Sequence, residues 1–440
     1  MAQSDMQVAD QDGASFLVDI NSHLAAIVSN YSGATEPATM TAFQWWADTS
    51  SGLMKQRNAA NNAWVNKGLI ANAQFGVEGG TFTGDISVPD EAYGAGWNGS
   101  LEVPTKNAIY DKIETIGALV VDGFFYKKDT NAVAFTKTAA GTISIKALTQ
   151  IYVAGTLVSF ATDTAITMPT LTAGTDYAIY ACTDGTIRAD ASFSFPTGYT
   201  ALNSRKIGGF HYAPGGNAAA RAGGDTTPAI NEYSIWDLKF KPASPDPRGQ
   251  MLVSGGFWAD IYPLGVDHII NGTSKFNVTI ADGSSPPKVP TQFGGNGTTT
   301  YTTLTWWESA EVLAAYGKRL PTYAEFAALA FGTTEATSGG TDPVSTILRA
   351  AFTSKWGAIL ATGNMWFWGA NFGGGAAGAA WTANTTGRGS TYQMENAAIF
   401  GGSWVEASNS GSRASYWSNS PTLSYTSIGA RGVCDHVVLE

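Results

Sequence analysis

The stretch Gly401–Glu440, GGSWVEASNSGSRASYWSNSPTLSYTSIGARGVCDHVVLE, joins two unlike textures. As far as Ile428 it is polar and interchangeable. Serine recurs at 403, 408, 410, 412, 415, 418, 420, 424 and 427, with Asn409, Tyr416, Asn419 and Tyr425 between them. From Gly429 it turns apolar: Val433, Val437 and Val438 fit a buried closing strand, and Gly429 and Gly432 permit close backbone approach. The residues around Trp404 predict an extended segment. At period two, positions 403, 405, 407 and 409 then project to one side while Trp404 anchors the other. Trp417 is a second anchor, and Arg413 carries a guanidinium fork suited to pinning backbone carbonyls or a carboxylate. Ser, Tyr and Asn are also the residues that adaptable binding surfaces use. Fixed anchors alternating with exchangeable positions suit a surface whose chemistry changes while its fold survives. By composition alone, an ordinary solvated loop reads the same way.

The rest of the chain bounds that reading. With 440 residues it is too long for one ordinary domain. Charged residues make up only 14%, and Gly, Ser, Thr and Asn fill their place beside 14 Trp. This composition suits turn-rich β structure rather than long solvated helices. The net charge of −10, with no Lys/Arg run, argues against a nucleic-acid partner. Cys182 and Cys434 are the only cysteines, which excludes a disulfide framework and a Cys-rich zinc site. The polar N-terminus is no secretory signal, and no apolar run is long enough to insert into a membrane.

Four segments emerge. Residues 1–75 place Trp45, Trp46 and Trp64 around a basic stretch, Lys55–Arg57, and read as a small knob packed on aromatics. Residues 76–117 are punctuated by Pro89 and Pro104. Ile109, Ile113 and Ile116 then recur as one stripe of a short helix, an amphipathic helix of a monomer or a weak three-stranded seam. Residues 118–235 alternate β-rich runs with polar turns and form one or two small β domains, in which Cys182 is a buried small hydrophobe. Residues 236–440 follow, with a Pro-rich link at Pro242–Pro247 and two short helices. One helix presents Trp307, Ala310, Leu313 and Ala314, and the other starts near Pro321 with Tyr323, Phe326 and Ala327 on one face.

Two sets of motifs carry resemblances. The tryptophan and basic spacing of residues 1–75, and PDEAYGAGWNGSLEVPTKNAIYDKIE after it, resemble modules of phage and prophage tail fibres, implying attachment to a tail. GKRLPTYAEFAALAFGTTEATS, FTSKWG, GGSW, GSRA and IGARGVCDHVVLE, in that order, resemble the receptor-binding domain of the tropism determinants of Bordetella bacteriophages. That resemblance covers about residues 236–440. It implies an α+β C-type lectin fold of the formylglycine-generating-enzyme-like branch, within a multidomain, mainly β chain.

The resemblance further implies a homotrimer on the virion tail, made in the host cytoplasm. Its partners would be phage tail proteins and a bacterial outer-surface protein or glycan receptor. In such proteins a retroelement rewrites adenines in one cassette, here about residues 401–428. The positions matching the family's varied sites are Ser403, Val405, Ala407, Asn409, Tyr416, Ser418, Asn419, Leu423, Tyr425, Ser427 and Ile428, and each residue is reachable from an Asn-type codon. Trp404, Glu406 and Trp417 lie outside the reachable set and sit between them. Trp404, Arg413, Trp417 and Arg431 are the expected scaffold anchors. A fixed-specificity glycan-binding fibre lectin and a structural fibre protein are the alternatives.

Catalysis is not expected, because Cys434 is the only thiol of the C-terminal region and sits in an apolar strand context. On a strand Cys434 could share a face with His436 but not with Asp435. Asp260, Asp267 and His268 read as surface loop residues rather than a metal set. No calcium-dependent sugar-binding motif is found, so no cofactor is expected; a structural ion is left open.

Overall fold

Asp12 caps the first helix, α1 (Gly13–Val28), by accepting from the backbone N–H groups of Ala14 and Ser15. The computed structural model describes residues 3, 5–8, 12–70, 109, 123–254, 256–376, 381–383, 390–392 and 395–439. The expected fibre segment and its isoleucine stripe lie outside the described residues apart from Ile109. The chain divides into two units, Met1–Ile109 and Tyr110–Glu440.

In the first unit an antiparallel sheet β1 (Trp45–Asp48), β2 (Leu53–Arg57) and β3 (Trp64–Leu69) follows α1. The aromatic and basic residues singled out by sequence face each other across it. Trp46 and Trp64 lie 5.2 Å apart, with Lys55 over one ring and Arg57 over the other. Lys55 also pairs with Asp48 at 2.6 Å.

The second unit begins with a β domain. Its strands are β4 (Phe125–Tyr126), β5 (Phe135–Ala139), β6 (Thr142–Ile145), β7 (Thr149–Val153), β8 (Thr156–Phe160), β9 (Thr164–Ala165), β10 (Thr175–Cys182), β11 (Ile187–Asp190), β12 (Ser204–Ala213), β13 (Ala229–Ile230) and β14 (Trp236–Asp237). Alternating burial along β6 and β7 shows the period-two pattern that drives them together, whereas β12 is buried without interruption from Ile207 to His211. Phe135, Ile145, Ile151, Ile179, Ile207 and Phe210 form its core. Cys182 is fully buried there.

The C-terminal domain follows without a break in packing. The order β15–β24–β17–β16 sets the closing strand β24 (Val433–Val438) between β15 (Phe240–Pro242) and β17 (Phe257–Asp260), with β16 (Gln250–Val253) outside. The domain's first and last strands are therefore hydrogen-bonded neighbours. Val433 is buried as expected, whereas Val437 is half-buried and Val438 exposed, because the far end of β24 reaches the rim. After α2 (His268–Asn271) come α3 (Trp306–Ala314) and α4 (Tyr323–Leu329), each opened by a capping box, Thr305 with Glu308 and Thr322 with Glu325. The buried face of α3 is Ser309, Val312 and Leu313. Ala314 is exposed and Trp307 half-buried, against the expected stripe, because the neighbouring Trp306 is drawn to Gly369 and Phe372.

A second sheet has the order β22–β21–β18–β23, from β18 (Trp366–Ala376), β21 (Glu395–Phe400), β22 (Ser415–Asn419) and β23 (Ile428–Gly429), while β19 (Trp381–Ala383) and β20 (Ser390–Tyr392) pair separately. Only the β18–β23 pair is parallel in this sheet. The main core holds Tyr262, Phe326, Phe367 and Phe400.

The β domain and the C-terminal domain share a joint. Trp236 packs with Trp258 and Cys434 in one buried cluster. His211 on β12 meets Tyr262 Oη at 2.9 Å and Asp176 at 2.9 Å, and Asp176 accepts the Gly249 N–H. Asn231 donates to the carbonyl of Trp356.

Candidate functional site

Three stretches of the C-terminal domain carry the candidate residues. The first, residues 402–412, is not the extended segment expected. Gly401 and Gly402 have φ of 98° and 88°, a left-handed bend that residues with a Cβ rarely adopt. A Cβ on Gly402 would also stand 2.8 Å from Ser410 Cα. The bend leads through a turn into a 3₁₀ helix, Ala407–Asn409. Alternation is therefore lost. Ser403 is only 1% exposed and bridges to Asn364, whereas Val405 is 70% exposed and Ala407 and Asn409 are exposed beside it.

This loop is held by its backbone. Ser338 Oγ donates to the Trp404 carbonyl at 2.9 Å and accepts from Ala407 N at 3.2 Å. Gly340 N donates to the same carbonyl, and Ala336 N to that of Ser410. Glu335 takes both the backbone N–H and the hydroxyl of Ser412, at 2.9 and 2.6 Å. Trp404 is half-buried against the core. Arg413 differs from its expected role: its side chain is exposed, and its link to the framework is its carbonyl, which accepts from Tyr323 Oη. Arg431 does the carbonyl pinning. Fully buried, it donates to Asp260 O and Ile261 O at 2.7 Å and to Ile359 O at 2.6 Å. Burial lowers its pKa to about 9, with the Asp260 carboxylate pulling the other way, so it keeps its charge at neutral pH.

The second stretch is β22, where alternation does hold because β21 supplies a partner strand. Tyr416, at 49%, and Ser418 are exposed, while Trp417 turns inward towards Phe400 and Tyr323. Asn419, at the end of β22, is buried. The third stretch runs from Ser420 to Ile428. It rests on Trp306 N, which donates to Pro421 O; on Leu304 N, which donates to Ser424 Oγ; and on Gly283 N, which donates to Tyr425 O. Tyr425 is 51% exposed, Leu423 and Ser427 are half-buried, and Ile428 is buried as the partner of Trp366.

A residue not singled out by sequence brings these stretches together. Half-buried Trp366 opens β18. Its backbone N–H donates to Ser427 O at 2.9 Å, its ring lies 6.4 Å from that of Tyr416, and Nε1 donates to Glu406 Oε1 at 3.3 Å. Val405, Ala407, Asn409, Tyr416, Ser418 and Tyr425 thus lie on exposed backbone-held supports that converge on one indole. Ser403, Asn419 and Ile428 are buried. Glu335 was missed as well; its only signal is a carboxylate in an otherwise Thr/Ala/Ser loop.

The considered chemical sets do not assemble. Asp260 is fully buried and paired with Lys318, and His268 is fully buried between Tyr316 Oη at 3.0 Å and the Lys288 carbonyl at 2.7 Å, so neither is the surface residue expected. Asp267 pairs separately with Lys288. Cys434 Sγ contacts Gln250 Oε1, while His436 Nδ1 accepts from Trp258 Nε1. Burial raises the Cys434 pKa.

An exposed, side-chain-diverse face on a backbone-braced C-type lectin fold suits a binding protein, and relatives put the chain in the tail-fibre receptor-binding class. Comparison narrows the class. The family model "Mtd second domain" matches residues 133–237. The tail fiber receptor-binding protein of Bordetella phage BPP-1 is 60% identical over 325 residues, 72% of this chain and 85% of that protein. Solved structures of the major tropism determinant M1 and U1 variants superpose with TM-scores of 0.73 and 0.72 at 50% identity, covering 91% of this chain and 96% of theirs. The chain belongs to the major tropism determinant family.

Proposed function

We propose that this tail receptor-binding protein attaches its particle to a bacterial outer-surface protein through the face formed by Val405, Ala407, Asn409, Tyr416, Ser418 and Tyr425, with Leu423 and Ser427 at its margin. What carries the reading is the division between backbone and side chain: the supports hold these stretches by main-chain groups, so the side chains are exchangeable without loss of fold. Agreement of every matched position with the reachable codon set supports diversification of this face by a retroelement. Ser403, Asn419 and Ile428 would then vary under packing constraint. The two exposed tyrosines supply rigid contact area at low entropy cost and are the expected hot spots.

The N-terminal unit joins the protein to tail proteins, and the chain works as a homotrimer. Linked weak sites then gain about 10²–10⁴ in avidity. The test is adsorption of the particle to the cells it infects. Tyr416→Ala with Tyr425→Ala abolishes adsorption while the trimer mass, measured by light scattering, is unchanged. Undiminished adsorption refutes the assignment of the face.

A further inference from the structure

With the diversification proposed above, one corner of this face stays constant, and its chemistry points to a partner. Glu406 lies outside the reachable codon set, and Trp366 lies outside the cassette. Glu406 Oε1 is held by two donors, Trp366 Nε1 and Ser403 Oγ, both at 3.3 Å. Oε2 takes no partner among the described residues, and the side chain is only half-buried. Among the described residues, cations of the framework do not neutralise it. Arg349, which reaches this corner through Asn364 Oδ1, spends its guanidinium on that atom and on the Thr341 and Asp342 carbonyls, and Arg431 is sealed in the core. Beside the carboxylate stands the Trp366 indole, with Tyr416 tilted 45° to it as a second wall.

Resting on the reading of the face given above, we propose that Trp366 and Glu406 form a constant corner that receives a guanidinium or ammonium side chain of the receptor protein. An indole is the best aromatic platform for a cation, and a guanidinium can stack on it while its edge forks to a carboxylate. Position 416 then tunes the second wall, while the ring and the charge beneath it stay the same. The corner commits the partner to protein: a neutral glycan has no cation to place there.

The probe is a displayed library of random peptides presented to the full chain. Clones are kept only if Tyr416→Ala with Tyr425→Ala abolishes their binding. The kept clones are expected to be enriched in Arg and Lys over the unselected library. They should lose roughly tenfold or more in affinity for Glu406→Gln, which still accepts from Trp366 and Ser403 and keeps its unfolding midpoint. Trp366→Phe, which keeps an apolar ring without the indole, should weaken the same clones. Tyrosine-dependent clones that lack the enrichment, or that bind Glu406→Gln undiminished, overturn the corner and leave the face intact. So does tyrosine-dependent binding of a neutral oligosaccharide indifferent to Glu406→Gln. If no clone depends on the tyrosines, the face reading itself fails and the corner falls with it.

Discussion

Replacing Arg431 by methionine tests the scaffold where its polar groups are most tightly coupled. The guanidinium makes three short bonds to backbone carbonyls, and its carbon lies 5.0 Å from the Phe367 ring. Charge-assisted bonds contribute about 1.5 kcal/mol or more each, so about 4–5 kcal/mol is lost with the three. Removing a buried charge whose Nε also lacks a partner among the described residues returns part of that. Against the return, the Ile359 carbonyl loses its donor, at a cost of about 1 kcal/mol or more. The expected net loss is about 3–5 kcal/mol. For a unit of this size that lowers the melting temperature by on the order of 10 °C. Near-UV circular dichroism of the full chain follows the transition. Arg431→Lys, which keeps the charge but cannot span the same carbonyls, should fall between wild type and methionine. A methionine variant melting within about 2 °C of wild type refutes the argument that this cation organises the domain.

Other perturbations separate loop, helix and thiol. Glu335→Ala should cost about 1–2 kcal/mol and speed amide exchange at Ser412 without altering the β domain; unchanged exchange contradicts the brace. Ala407 has φ of 45°, so Ala407→Gly should be neutral to stabilising by about 1 kcal/mol in denaturant titration; clear destabilisation contradicts the left-handed backbone. Burial depresses the pKa of His268 below its unfolded value of 6.5, against the Lys288 carbonyl and Asp267, which raise it. The unfolded chain then binds the proton first, so stability is full above pH 6.5 and erodes as the pH falls from there towards the folded pKa. His268→Gln should flatten that erosion in melting curves, and an unaltered slope would contradict it. Burial also raises the pKa values of Cys182 and Cys434. Neither should alkylate in the native protein at neutral pH, and both should in denaturant, as mass spectrometry will read.

The mainly β, lectin-fold organisation was legible because it rests on local patterns and dense motifs: alternation along β6 and β7, Pro321 before α4, and the apolar closing segment after Gly429. What was misread depends on distant partners. Asp260 and His268 look like loop residues until Lys318 and Tyr316, 58 and 48 residues away, fold against them. Period two describes 415–419, which lies beside β21, but not 403–409, which two left-handed glycines turn out of any ladder. The fork expected of Arg413 belongs to Arg431, because burial and not residue type decides which guanidinium finds carbonyls. Trp366 was invisible as a hub, since its importance lies in the three stretches that arrive at it.

The joint between the β domain and the lectin domain bears on mechanics. With the attachment proposed above, a particle held on a moving cell pulls along the chain. Here that load does not concentrate on the single strand leaving Asp237. It is shared in parallel by the Trp236–Trp258–Cys434 cluster, the His211–Tyr262 bond and the Asn231–Trp356 bond. The two domains should thus resist tension as one stiff lever.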